Sequence, residues 1–401
     1  MTASSLRETQ PAFVTFDEKL RHMKSNGLYR SYFPTAHMSG SPGQTLHHGE
    51  EIEVWCTNDY LGLSQHPELI RAQIDSTALH GTSMGGSRNI AGTSTTHAEL
   101  EQRLARWHGK ERALVFSSGY VANFESLSVL LAEIPGIVAF SDEHNHRSLI
   151  EGIRRAHCEK RIFPHNDLDA LEEQLAACDP DRPKLIVFES VYSMDADLSP
   201  VSRICDLADR YNAMTYLDET HAIGAMGPTG AGLCEAVGET RPTFVQGVFG
   251  KALGTVGGYV AGPDTAVDFI RSHAPGFIFT TSLPQACMDA TLKALELVRN
   301  GDDLRHRLTD RSLRMKAALR DRDIPFLDAA HHIIPVMIPG SERVRRVTDL
   351  LLEKHRVYVQ PINFPSVPLG TERLRVTVPP YRTDEQIDGF AQALQDCLAN
   401  A

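Results

Sequence analysis

The sequence predicts an α/β fold: a large domain built on a mostly parallel central sheet, followed by a smaller C-terminal α+β domain. Three observations predict it. Short β-branched runs alternate with helix-length segments from Val54 to about Asn300, the order expected of right-handed βαβ units. The 401 residues exceed one ordinary domain, so a large core with a smaller companion is expected. After residue 301 the alternation ends, and "IIPVMI", "YVQPI" and "RLRVTV" stand among helical patterns. The expected division is an N-terminal segment (1–55), a large domain (56–300) and a small domain (301–401).

Along the chain, a short helix is expected over 16–26, and the polar stretch "HMSGSPGQTLHHGEE" (37–51), with its Gly and Pro, reads as a loop. "THAELEQRLARWHG" opens with Thr96 three residues before Glu99, a capping-box spacing, and carries Leu100, Leu104 and Trp107 on one face. "RALVFSS", "IVAFSD", "KLIVFES", "AMTYLDE" and "TFVQGV" read as strands. Between two of them, "RICDLADRY" sets apolar residues at 204, 207, 208 and 211, one helical face.

An apolar fraction of 42% and a charged fraction of 23% are those of a globular chain in water. The net charge of −11 disfavours nucleic acid as a partner, and an anionic ligand would need cations or N–H groups gathered locally. Seven cysteines are scattered without CxxC spacing, which fits reduced thiols rather than a disulfide frame or zinc site. No apolar run nears the roughly 18 residues of a membrane span, and "MTASSLRETQPAF" lacks a basic-then-apolar leader. The expected compartment is the cytoplasm, and neither membrane nor metal is an expected partner.

In a parallel sheet ligands gather at the carboxyl ends of strands, so the residues after each strand are the candidate site. After "ALVF" comes "SSGYVAN" (117–123), a small turn opening a helix, whose N–H groups suit a phosphate, although many such turns look alike. After "IVAFS" comes "DEHNHRS" (142–148). Its histidines fit a surface loop, or one of them a pocket wall, and no HExxH spacing points to metal. After "MTYL" comes "DETHAIG" (218–224), where Asp218 needs a cationic partner if it is buried. A protonated pyridine nitrogen is such a partner, and His221 lies close by in sequence.

Lys251, in "FVQGVFGKALGTVGGYV" (244–260), stands among glycines and apolar residues with no acid nearby in sequence. Such a lysine either snorkels from a strand end or loses hydration, falls in pKa and becomes a nucleophile toward an aldehyde. Phosphate turn, histidine, aspartate and lysine follow one another on successive strand ends. Together they point to pyridoxal phosphate.

The stretches "GLYRSYF", "VWCTNDYLGLSQHP", "GGSRNIAGTSTTHAELE", "HGKERALVFSSGYVAN", "SDEHNHRSLIEGIRR", "FESVYSMDADLSP", "LDETHAIGAMGPTGAG", "APGFIFTTSLP" and "VYVQPINFPSVPLGTERLRVT" resemble the α-oxoamine synthases. These are fold-type I pyridoxal phosphate transferases that join an amino acid to an acyl-CoA. The resemblance runs from about residue 16 to the C-terminus and is most telling in the last stretch, outside the shared cofactor core. There the chain is similar to the members that condense glycine with succinyl-CoA to 5-aminolevulinate. Sister synthases using another acyl-CoA or amino acid are the alternative.

The resemblance implies that Lys251 holds the cofactor aldehyde and moves the glycine proton, while Asp218 pairs with the ring nitrogen. His146 would stack on the ring, and Ser193 and His221 would meet its phenolic oxygen. N–H groups of Gly119 and Tyr120 would hold the phosphate, with Thr280 given by the other subunit of a homodimer whose interface lies near Asn58 and Arg88. Arg375, aided by Asn58, would grip the amino acid carboxylate. Arg30, Asn89 and Ser366 would surround the far carboxylate of the acyl group, with Ser87, Ile90 and Ser141 also on substrate.

Three departures from the family pattern stand out. Val248 replaces a hydroxyl residue three before the lysine, removing a phosphate hydrogen bond of about 1.5–3 kcal/mol. Ser87 and Ser366 replace threonines, and each missing methyl is worth about 1–3 kcal/mol of acyl discrimination. The basic run "GIRRAHCEKRIF" (152–163) is either a solvated, salt-bridged face or a meeting place for CoA phosphates, the latter implied by the resemblance above all for Lys160.

Overall fold

The computed structural model describes residues 11–25, 29, 32–329 and 331–401. Its strands are β1 (Ala36–His37), β2 (Gln44–His47), β3 (Glu50–Val54), β4 (Arg112–Phe116), β5 (Val138–Asp142), β6 (Glu159–Phe163) and β7 (Lys184–Glu189). They continue with β8 (Met214–Asp218), β9 (Phe244–Val248), β10 (Gly258–Gly262), β11 (Ile333–Met337), β12 (Val357–Tyr358), β13 (Pro361–Ile362) and β14 (Arg373–Thr377). Among the described residues a seven-stranded sheet runs in the order β4-β10-β9-β8-β7-β5-β6. β10 is antiparallel to both its neighbours, and the other pairings are parallel.

The central strands are apolar along their length because both faces of this sheet are covered. Successive residues feed opposite cores, as a period of two requires. Ala113, Val115, Phe140, Phe188 and Leu217 enter one cluster, while Leu114, Phe116, Ala139, Val187 and Tyr216 enter the other. The helices Gly119–Glu133 and Arg147–Ala156 pack together over the second face. Asp142, Glu189 and Asp218 close β5, β7 and β8, so three buried carboxyl groups stand along one edge of the sheet.

The C-terminal residues form the antiparallel sheet β11-β14-β13, backed by the helices Ser341–His355 and Asp384–Ala399. Its core takes in Trp55, whose ring stacks on Phe390 at 4.5 Å. The stretch expected to be a loop at 37–51 is irregular over 38–43 but otherwise belongs to a ribbon in which β1, β2 and β3 pair antiparallel. Gly49 at φ +83° closes the β2–β3 turn, and Thr45 is fully buried at the centre of β2. The polar composition hid this because most other residues of the ribbon keep part of their surface in water. β12 pairs parallel with β3, so the N-terminal ribbon is continuous with the C-terminal unit.

Two helix starts also differ from expectation. The first described helix covers Pro11–Ser25, reaching further toward the N-terminus than the expected residue 16. The helix Thr95–Trp107 is capped by Ser94 with His97 reaching back, rather than by Thr96 with Glu99. An imidazole nitrogen here does what a glutamate does in the usual capping box.

Candidate active site

A cavity of about 580 Å³ opens at the carboxyl edge of the large sheet. Gly119, Tyr120, His146, Asp218, His221, Lys251 and Asn58 all line it. Asp218 is buried at its floor, where Oδ2 accepts from Asn123 Nδ2 at 2.8 Å and Oδ1 from the Thr220 N–H at 2.8 Å. These donors fix the carboxylate, whose remaining lone pairs are available to a cationic N–H.

At the other side Lys251 follows β9, with its Nζ 2.8 Å from His221 Nε2 and, among the described residues, no carboxylate bonded to it. Burial lowers its pKa to about 7, Arg375 adds to the effect, and Asp218 and Glu189 oppose it. Burial likewise pushes His221 well below its ordinary value, with Lys251 and Arg375 reinforcing the shift. A neutral imidazole has one donor and one acceptor, so His221 bridges Lys251 and the Tyr60 hydroxyl, 2.7 Å from its Nδ1. His332, fully enclosed, packs edge-on against Tyr60 at 4.3 Å.

The wall and the anion end are built by helix starts. His146 caps the helix Arg147–Ala156, its Nδ1 lying 2.7 Å from Ser148 Oγ, while its backbone N–H donates to Glu189. Burial raises the Glu189 carboxyl well above the usual range and Asp218 adds to the shift. Gly119 opens the helix Gly119–Glu133 behind the Ser118 cap. A Cβ on Gly119 would lie 2.0 Å from Val248 Cγ2, so only glycine lets this N-terminus approach the end of β9. The Val248 methyl therefore faces the place where N–H groups gather.

Arg375 reaches the same site from β14. Its Nη1 donates to Asn58 Oδ1 at 2.8 Å, Nη2 to the Tyr60 hydroxyl at 2.6 Å and Nε to the Ser193 carbonyl at 2.8 Å. Ser193 thus stands beside the arginine in the turn after β7. Ser141 is buried on β5, its hydroxyl accepting from Asn145 Nδ2 at 2.9 Å.

Other expected site residues are not brought to this cavity within one chain. Ser87 bridges Thr281, and Thr280 lines a separate small cavity with Arg88 and His97. Asn89 and Ile90 are exposed. Lys160 is exposed on the edge strand β6, and the basic run divides between a helix end and that strand instead of forming one helix face. Ser366 is exposed in the stretch between β13 and β14, and Arg30 lies outside the described residues.

Sequence reasoning missed Tyr60, Asn123, Glu189 and His332 as parts of this site. Glu189, the last residue of a β7 that reads plainly as a strand, carried the same strand-end signal as Asp218. Asn123 lies within the quoted phosphate turn, and Tyr60 within "TNDYLG".

An N–H-rich helix start, an aromatic wall, a fixed carboxylate and a carboxylate-free amine fit pyridoxal phosphate at its phosphate, ring face, ring nitrogen and aldehyde. Residues 50–394 match the family model described as aminotransferase class I and II. The chain is 44% identical over 384 residues to the 5-aminolevulinate synthase of Bradyrhizobium diazoefficiens, covering 94% of each chain. It is 46% identical over 389 residues to that of Paracoccus denitrificans, covering 95% of each. Among solved structures, the Sphingomonas wittichii serine palmitoyltransferase superposes with a TM-score of 0.89 at 27% identity over 96% of each chain. An 8-amino-7-oxononanoate synthase of Francisella tularensis, at 23% identity and a TM-score of 0.74 over 87% of this chain and 98% of that one, shares the fold. The chain belongs to the aminotransferase class I and II family of fold-type I pyridoxal phosphate enzymes and, within it, to the 5-aminolevulinate synthases. Its cofactor is pyridoxal phosphate.

Proposed function

We propose that the protein condenses glycine with succinyl-CoA, releasing 5-aminolevulinate, CoA and carbon dioxide. The observation that carries this reading is the carboxylate-free Lys251 amine across one cavity from Asp218, with Arg375 reaching in from β14. When bound, the cofactor supplies an aldehyde for amines and a conjugated ring that takes up the electron pair left at glycine Cα. Asp218 holds the ring nitrogen protonated. Lys251, depressed to about 7, is free at neutral pH to take the Cα proton and later return one. Arg375 turns donors now engaged by Asn58 and Tyr60 onto the glycine carboxylate, a planar grip that a lysine lacks. His146 covers one ring face, and Gly119 and Tyr120 present N–H groups to the phosphate.

The rest of the site is assigned to a second copy of the chain. Thr280, Ser87, Asn89 and Ile90 serve the partner's cavity in a homodimer, which is supported by the exposed apolar side chains Ile90 (73% exposed) and Phe279 (83%) on these loops. Arg30, Asn89 and Ser366 take the terminal carboxylate of the acyl group, Ser141 borders the same path, and Lys160 meets CoA phosphate. No helix among the described residues is long and apolar enough to cross a membrane, and the free cysteines support a cytoplasmic setting. Glycine offered with a panel of acyl-CoAs, with products identified by mass, tests the reading. Succinyl-CoA is expected to lead, with glutaryl-CoA accepted in part because Ser87 and Ser366 lack a methyl. A lead by a plain fatty acyl-CoA would overturn it.

A further inference from the structure

Arg375 is one of two arginines that β14 aims at the same turn. Arg373, two residues earlier on the same strand face, is 3% exposed. Its Nη1 donates to the Met194 carbonyl at 2.7 Å and to Asp195 Oδ1 at 2.9 Å, and its Nε donates to the Thr371 carbonyl at 2.9 Å. The turn is narrow, closed by the Val191–Leu198 bridge and by the Ala196 N–H on the Tyr192 carbonyl at 2.9 Å. Its far side is tied to the large sheet. His144 Nδ1 lies 3.3 Å from Asp195 Oδ2, and its ring stacks on His165 at 4.2 Å. His165 in turn bonds Asp142 at 2.9 Å and Asp197 at 2.6 Å.

One carboxylate, Asp195, therefore sits between a guanidinium from the C-terminal sheet and an imidazole from the turn after β5. The adjoining Ser193 carbonyl holds Nε of Arg375. That bond sets the plane of the guanidinium, and a planar fork binds a carboxylate only when its plane is right. We propose that Asp195 and Arg373, with His144 behind them, are positioning residues that orient Arg375 and so set the affinity for the amino acid carboxylate. This rests on the proposed role of Arg375 at that carboxylate. None of the three groups lines the cavity, and they act through the Ser193 carbonyl.

The test uses the cofactor-loaded protein and Asp195→Asn, which keeps the shape and removes the charge, with Arg373→Lys as a second variant. Glycine KM should rise about tenfold in Asp195→Asn while kcat and the acyl-CoA KM stay within about twofold, a split that a purely structural loss does not give. Arg373→Lys should fall between the parent and Asp195→Asn. Glycine Kd, read from the absorption of the bound cofactor without acyl-CoA, should follow KM, and L-alanine and L-serine serve as further probes of the same site. A parent that binds alanine or serine but not glycine would break the proposed substrate, and the positioning role would then be read with that amino acid. Glycine KM and Kd in both variants within twofold of the parent, or kcat falling in step with melting temperature, would overturn it.

Discussion

Lys251 owes its chemistry to what is missing around it. A lysine beside a carboxylate stays an ammonium, whereas this amine meets an imidazole and is brought down to about 7 by burial first and Arg375 second. The neutral form is the nucleophile and grows as pH rises through that value. In the cofactor-free protein, labelling of Lys251 by an amine reagent should rise and level off near pH 8, whereas lysines with the ordinary pKa near 10.4 keep gaining about tenfold per pH unit to beyond pH 9. A Lys251 profile parallel to theirs would refute the assignment.

Val248 poses the opposite case at the same scale: a methyl stands at the phosphate end, packed against Gly119. Val248→Thr keeps the volume and adds a donor, worth about 1.5–3 kcal/mol toward a charged acceptor. Reconstitution titrations should show cofactor Kd falling about tenfold or more. An unchanged Kd would mean that the residue does not face the phosphate.

Elements, more than single residues, decide how the site is held. The turn after β7 is anchored from both sides, and its best-tied contact is His165. Burial alone would lower the His165 pKa, but its bonds to Asp142 and Asp197 more than reverse this and raise it to about 10. The folded value thus lies above the unfolded value of about 6.5. The stabilisation is complete below about pH 6.5 and is lost as pH rises through about 10. The gap in urea midpoint between parent and His165→Gln should therefore be widest near pH 6 and close toward pH 10. A gap that widens with pH would contradict the bonded imidazolium.

The whole molecule joins an N-terminal ribbon to a C-terminal sheet through β3 and β12, and strand β14 carries Arg375 to a cavity that lies on the large sheet. In the proposed homodimer the remaining site residues come from a second copy. Thr280→Asp would place a carboxylate beside the partner's phosphate site, whereas Lys251→Ala removes the amine of its own chain. Each variant alone should be nearly inactive. Mixed dimers should recover about a quarter of parent activity, since half of randomly formed dimers hold one intact site. No recovery on co-expression would exclude a shared site.

Sequence by itself determined the strand-end residues of this protein. β8 and β9 are short buried runs set between helix-length segments, so Asp218 and Lys251 fall where a parallel sheet gathers ligands, and Gly119 marks a helix start within a few residues of β4. Those positions depend on local periodicity, which a linear chain displays. The ribbon at 36–54 was illegible because three short strands, mostly half-buried or exposed, have too little apolar contrast to stand out from a loop. Only the tertiary structure decided the contacts between distant segments. Tyr60 meets His221 and Arg375, His332 packs beneath Tyr60, and Asp195 joins Arg373 to His144. No spacing rule relates such residues, because what brings them together is the packing of β14 across the large sheet's edge. Pairing of Asp195 follows from that packing, since a partly buried carboxylate is stable only where folding delivers it a cation.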